Sequence, residues 1–141
     1  MKVSEHFDLR EFVDPVTFGK FGDKSLQFID PKLFAIAEAF RGLVFGPATI
    51  NTWHTGGQYK ESGLRRFDTA TGAKYSQHKF GRAIDIKIVG GNYDHLRSLV
   101  RYHWPELKEA GLTTMELDTP TWLHLDCRNT GLDSLYEIPF K

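Results

Sequence analysis

The run from Ser76 to Val89 constrains the fold of this chain more than any other, because a glycine turn is followed at once by strict alternation. Within residues 82–89, Ile84, Ile86 and Ile88 occupy one face and Ala83, Asp85 and Lys87 the other, which is the period of a half-buried strand. A strand with isoleucine along one face must lie on a core, so Asp85 looks away from that core. His78 stands seven positions before Asp85, across Phe80-Gly81, and a reversal there brings both side chains to one point. A side chain at Gly81 would block the reversal or the approach of an ion.

The same alternation returns late in the chain. Over residues 122–127, Trp122, His124 and Asp126 share one face while Leu123 and Leu125 point into apolar packing. The preceding strand, residues 112–118, joins it through Thr119-Pro120-Thr121. A three-residue turn sets Glu116 directly across from His124 and Asp118 across from Trp122, all on one face. The hairpin therefore has a polar working face.

The other elements make the chain mixed α and β. Residues 7–13 read as one or two helical turns before Asp14-Pro15, and a loop containing glycine and lysine continues to Asp23. Asp30 offers an N-cap with Pro31 at the first helical position, and Leu33, Ile36, Ala37, Phe40 and Val44 follow at helical spacing up to Gly46-Pro47. Residues 48–53 read as a buried strand. A second amphipathic helix over 94–103 carries Leu96, Leu99 and Val100, and Pro105 separates it from a short turn ending at Gly111. With 141 residues and neither a repeat nor a Pro/Gly/Ser-rich linker, a single domain is expected over 1–141. Residues 1–25 would form an N-terminal strap and 26–141 the catalytic core.

Charge and cysteine content narrow the functional classes. Eighteen basic and eighteen acidic residues cancel, leaving no overall field for nucleic acid or an anionic membrane surface. Charges such as Glu38, Arg41, Lys87 and Arg101 interrupt every apolar run, so no segment reads as membrane-spanning. The start, Met1-Lys2-Val3-Ser4-Glu5-His6, lacks the features of a secretory signal, and synthesis in a cytosol is expected. Cys127 is the only cysteine; it excludes an intramolecular disulfide and reads as a small core residue.

His78, Asp85 and His124 together offer two imidazole nitrogens and one carboxylate oxygen, a set that suits one zinc ion with its fourth position open to water. A lone histidine carries little weight; a histidine, a glycine turn, an aspartate leaving an apolar strand and a late Trp-x-His-x-Asp carry much more. His6, His95 and His103 have no such company, and His54 is the only other histidine expected near the cleft. Trp53 and Trp122 are candidate walls. Asp126 is a candidate to orient a ligand or bind an arginine such as Arg128.

The pattern Ser76-x-His78-x-x-Gly81-x-Ala83-x-Asp85, then Glu116 and Trp122-x-His124-x-Asp126, resembles the zinc peptidase family of the D-Ala-D-Ala carboxypeptidases and related phage endolysins. The opening Ser4-Glu5-His6-Phe7-Asp8-Leu9-Arg10-Glu11-Phe12 is similar to that of a subgroup common in bacteriophages and bacteria. The resemblance implies an α+β fold of the hedgehog and D-Ala-D-Ala metallopeptidase type, with a small antiparallel sheet and flanking helices. It also implies a single zinc held by His78, Asp85 and His124, and a hydrolase that cuts peptide bonds in peptidoglycan stems as a carboxypeptidase or endopeptidase. Such enzymes hold a substrate carboxylate or carbonyl with an arginine in a Ser-Gly-Tyr-Arg-like segment. Ser62-Gly63-Leu64-Arg65 is the nearest match, which makes Arg65 a substrate residue with Ser76, although His54 stands where many relatives reach the arginine sooner.

Many relatives place a glutamate three residues before the last histidine, and that position here is Thr121. The general base then falls to Glu116 or Asp118, with strand geometry favouring Glu116. The expected setting is a monomer acting on the bacterial cell wall, as a phage lysin or virion component. Thr121 and the displaced arginine motivate the competing reading, a zinc-containing wall-binding or phage structural module without hydrolysis.

Overall fold

In a computed structural model that describes residues 1–140, the chain is an α+β protein with a mixed four-stranded sheet and four α-helices. Lys141, the last residue of the expected domain, lies outside the described residues. The strands are β1 (Ala83–Ile86), β2 (Thr114–Leu117), β3 (Leu123–Asp126) and β4 (Tyr136–Pro139), in the order β1-β3-β2-β4. The helices are α1 (Pro15–Phe21), α2 (Lys32–Val44), α3 (Tyr93–Tyr102) and α4 (Trp104–Ala110). Among the described residues no helix is long and apolar enough to cross a membrane.

The alternations expected along residues 82–89 and 122–127 divide the sheet into two faces. Ile84, Ile86, Met115, Leu123 and Leu125 are fully buried and join the core with Leu33, Ile36, Ala37 and Phe40 of α2 and Val100 of α3. Burying such a side chain is worth about 1.5–3 kcal/mol, so these residues hold the register. The N-terminal strap is part of this core, because Phe7, Leu9, Phe12 and Val13 are also fully buried within it. Cys127 is buried, as expected of a small core residue.

Four readings of the sequence need correction. The expected antiparallel sheet is mixed, because β4 pairs parallel with β2. With β1 on one side of β3, the outer edge of β2 is the place left for another strand, and the chain skips across β2 to reach it. Pro139 at the end of β4 weakens the strand signal, as proline does outside edge strands. The expected loop up to Asp23 is helical: Asp14 caps α1 by accepting from Thr17 N at 2.9 Å, Pro15 opens it, and a 3-10 helix, Gly22–Phe28, follows. Residues 48–53 form no strand beyond a bridge between Thr49 and Lys87, because Trp53–Thr55 turns into a 3-10 helix. Finally, α3 starts from Asn92, whose side chain accepts from His95 N, rather than from Asp94.

Candidate metal centre

His124 occupies the middle of the polar face because β3 is flanked on both sides. Asp85 is its direct partner on β1, and the pairs Thr114↔Asp126 and Met115↔Leu125 continue to Glu116 opposite His124 on β2. Three polar side chains thus stand in one row across three strands, at the close spacing of cross-strand neighbours. His78 enters from above, on the 3-10 helix Gln77–Phe80 that Ser76 caps by accepting from His78 N. Gly81 then reverses the chain with φ 68°, and a Cβ there would run into the Phe28 carbonyl. The constraint on Gly81 is therefore the reversal, and the obstacle is backbone rather than a blocked approach to an ion.

His78 Nε2 lies 3.2 Å and His124 Nδ1 3.1 Å from Asp85 Oδ1. Their outer nitrogens settle how the rings are used. His78 Nδ1 donates to the Gly63 carbonyl at 2.8 Å, and His124 Nε2 donates to Asp126 Oδ2 at 2.8 Å. Each neutral ring consequently turns a lone pair toward a carboxylate oxygen, an arrangement that calls for a cation between them. Bonds of about 2.0–2.1 Å in a tetrahedron set neighbouring ligand atoms about 3.3 Å apart, close to the spacing here. Among the described residues, His78, Asp85 and His124 are the one group of such donors within reach of a common ion, and all three are buried.

Without an ion, His124 takes up the conflict as a proton. Burial pulls its pKa down, but hydrogen bonds to Asp126 and Asp85 and the charges of Asp85 and Glu116 raise it to about 9. Burial holds His78 below the usual imidazole range despite Asp85. Burial also opposes ionisation of Asp85 and is outweighed by His78 and His124, so Asp85 stays far below the ordinary carboxylate range. Asp126, fully buried, is kept ionised in the same way by His124 and by Arg128, whose Nη2 donates to it at 2.6 Å. It is an orienting carboxylate rather than a solvated one. Burial, with the charges of Asp85 and Asp126, lifts the Glu116 carboxyl above the usual glutamate range. Glu116 Oε1 stands 3.6 Å from His124 Nδ1.

A cavity of about 310 Å³ contains the row and is lined also by Arg65, Ser76 and Trp122. Arg65 donates through Nη2 to Asp85 Oδ2 at 3.1 Å and through Nε to the Glu61 carbonyl at 2.7 Å. It supports a ligand as well as facing the cavity. His54 and Asp118 are not brought to the site. His54 packs edge-on against Trp53, burial lowers its pKa, and it lines no part of this cavity. Asp118 adopts φ 60° at the end of the hairpin and lines a separate cavity with Arg97 and Thr119.

Sequence reasoning gave residues 62–65 a role only through Arg65, and gave none to Phe140 or Lys87. Residues 62–65 bracket both ligands: Asp85 N donates to the Ser62 carbonyl at 2.7 Å, Gly63 receives His78, and Arg65 N donates to the His78 carbonyl at 3.1 Å. Phe12 presses so closely on Gly63 that any Cβ would lie 2.5 Å from its carbonyl oxygen. Phe140 packs edge-on to Trp122 at 5.1 Å. Lys87 is buried beside Asp85 with its pKa lowered by burial to about 8, so it remains charged at neutral pH. Lys87 had left a signal as the next polar-face position after Asp85, and residues 62–65 as the segment that ends in Arg65.

The fold and site together define an α+β protein with a buried centre of two histidines and one aspartate that can bind a metal ion. The chain matches no protein-family model, no curated protein and no solved structure.

Proposed function

We propose that this chain is a zinc metallopeptidase of the D-Ala-D-Ala carboxypeptidase-like type, with the related hedgehog-like fold, and that it hydrolyses peptide bonds in peptidoglycan stems. The observation that carries the reading is a carboxylate, Glu116, 3.6 Å from an imidazole nitrogen of a three-donor site that lines a cavity of about 310 Å³. Bound zinc supplies Lewis acidity and lowers the pKa of water to about 7. Glu116 then takes the proton of the attacking water and returns it to the leaving amine. Arg65 and Ser76 orient the substrate's carbonyl or carboxylate, and Trp122 walls the cleft. His54 and Asp118 have no part in this scheme. The setting that fits is the bacterial cell wall, with the protein acting as a phage lysin or virion component.

The test is mass spectrometry of defined muropeptides incubated with zinc-loaded protein. New amino termini are expected; Glu116→Gln is expected to reduce their release at least ~100-fold while zinc content is retained. Failure of the fully loaded wild type to cut any stem bond would overturn the proposal. Unaltered wall binding by a Glu116→Gln variant, in a protein that cuts nothing, would point instead to the binding module.

A further inference from the structure

We infer that the aromatic groove between residues 17–28 and residues 64–80 is a docking site for an acidic segment of a partner protein that carries large apolar side chains. The groove has a volume of about 570 Å³ and is walled by two edge-to-face pairs of rings. Phe21 and Phe28 form one pair at 4.9 Å, and Phe67 and Phe80 the other at 5.5 Å. The walls meet where the Phe28 carbonyl abuts Gly81, next to Phe80. All four rings are left in water, Phe67 with 67% of its surface and the others with 37–41%. Four phenyl rings side by side around a concavity they do not fill mark a surface made for contact. The site stands apart from the metal cavity, with only Arg65 lining both, and does not depend on the peptidase reading.

The charges around the groove select its occupant. Arg65 is paired with Asp85, and Arg66 with Asp68, the one carboxylate in the lining. Lys20, Lys79 and Arg82 make no ion pair with a carboxylate among the described residues. Lys20 Nζ lies 5.8 Å from the centre of the Phe21 ring and the Arg82 guanidinium 5.5 Å from that of Phe80, so each wall carries a cation. Lys79 Nζ donates to the Lys74 carbonyl at 3.1 Å. In a chain whose formal charge is zero, this rim is locally cationic, and an anionic partner complements it. The lining narrows the class further. A lipid surface takes up projecting rings, whereas these enclose a hollow. Nucleotide bases stack on flat ring faces, and rings paired edge to face with cations over Phe21 and Phe80 present no such platform. Thr17 is the only uncharged hydrogen-bonding side chain in the lining, too little for a glycan. An aliphatic or aromatic side chain entering among the four rings, flanked by carboxylates that reach Lys20 and Arg82, matches both the hollow and its rim.

Selection of random dodecapeptides displayed on phage, with the full chain immobilised, tests this. Counter-selection uses the double variant Phe21→Ser with Phe67→Ser, which removes two exposed rings and leaves the buried core in place. The enriched peptides are expected to combine a phenylalanine, tryptophan, leucine or isoleucine anchor with flanking aspartate or glutamate. Binding of the best synthetic peptide, followed by fluorescence anisotropy, should weaken at least about tenfold in that double variant and by a similar factor in Lys20→Glu with Arg82→Glu. Lys20→Arg with Arg82→Lys should keep most of the affinity. Amidating the peptide's carboxylates should reproduce the loss on the unmodified protein. Equal unfolding midpoints establish that the variants are folded, and Phe67→Ser alone, at the most exposed ring, serves should the double variant fail to fold. Vesicles of phosphatidylglycerol and an oligothymidylate are titrated in parallel. Failure to enrich any peptide over the variant, equal binding of the acidic and amidated peptides, or tighter binding of the vesicles or the oligothymidylate than of every peptide would overturn the site.

Discussion

His124 is where the competing demands on this site meet, since one of its nitrogens faces Asp126 and the other faces Asp85 and Glu116. Removing Asp126 by Asp126→Asn deprives the ring of its charged acceptor and strands Arg128. Zinc affinity, measured by chelator competition, is expected to fall about 10–100-fold. The raised pKa of His124 also gives a pH signature. The imidazole gains its proton more readily folded than unfolded, so its contribution to metal-free stability is complete below about 6.5 and is lost as pH rises through about 9. That loss amounts to up to ~3 kcal/mol. Zinc must displace the same proton, so its apparent affinity should rise with pH up to about 9. Urea unfolding of the metal-free and zinc-loaded forms from pH 6 to 9 should therefore diverge, the loaded form gaining on the empty one. At this scale the ligands were legible because His78, Asp85 and His124 sit at fixed places in a turn and two alternating strands. The Gly63 carbonyl was not legible, since a backbone acceptor carries no residue signature, and the fate of His54 depended on where Trp53–Thr55 turned.

Among the elements, the turn between His78 and Asp85 is the least forgiving. Gly81 combines a positive φ with backbone contact to Phe28, whose neighbour Ile29 leads into Asp30, and Asp30 N donates to the Gly81 carbonyl at 2.9 Å. Gly81→Ala cannot be accommodated by moving a side chain. It should cost more than ~1 kcal/mol in thermal or urea unfolding and weaken zinc binding as well, because the same turn carries His78. The hairpin register could be anticipated because Thr119-Pro120-Thr121 fixes the count between Glu116 and His124. The partner on the other side of β3 could not be, since 36 residues lie between Ile86 and Leu123 and no local pattern specifies a pairing at that range. β4 was missed because it is short, largely exposed and ended by Pro139.

The molecule as a whole is braced from its N-terminus. Asn51 donates to the Val13 carbonyl at 3.0 Å and accepts from Ser62 N at 2.8 Å, while the Ser62 carbonyl receives Asp85 N. A line of hydrogen bonds thus runs from the strap to Asp85 of the candidate metal centre. Four fully buried side chains in the strap, Phe7, Leu9, Phe12 and Val13, represent about 6–12 kcal/mol at the usual value per side chain, as much as a domain's entire stability. A chain lacking residues 1–13 is expected to give no cooperative unfolding transition by circular dichroism and to bind no zinc at neutral pH. The sequence showed those residues as a helical opening, but not that their backbone would clamp Gly63, which only the tertiary approach reveals.

The row of Asp85, His124 and Glu116 across three strands ties the candidate metal centre to correct assembly. A slip of one residue between β2 and β3 would bring Met115 or Leu117 opposite His124 and drive Glu116 into the apolar interior, since successive side chains take opposite faces. Every misaligned form would therefore also be a poorly buried one. The hydrophobic core acts as a proofreader for the candidate metal centre, so errors in pairing surface as unfolding rather than as a well-folded protein that lacks the centre.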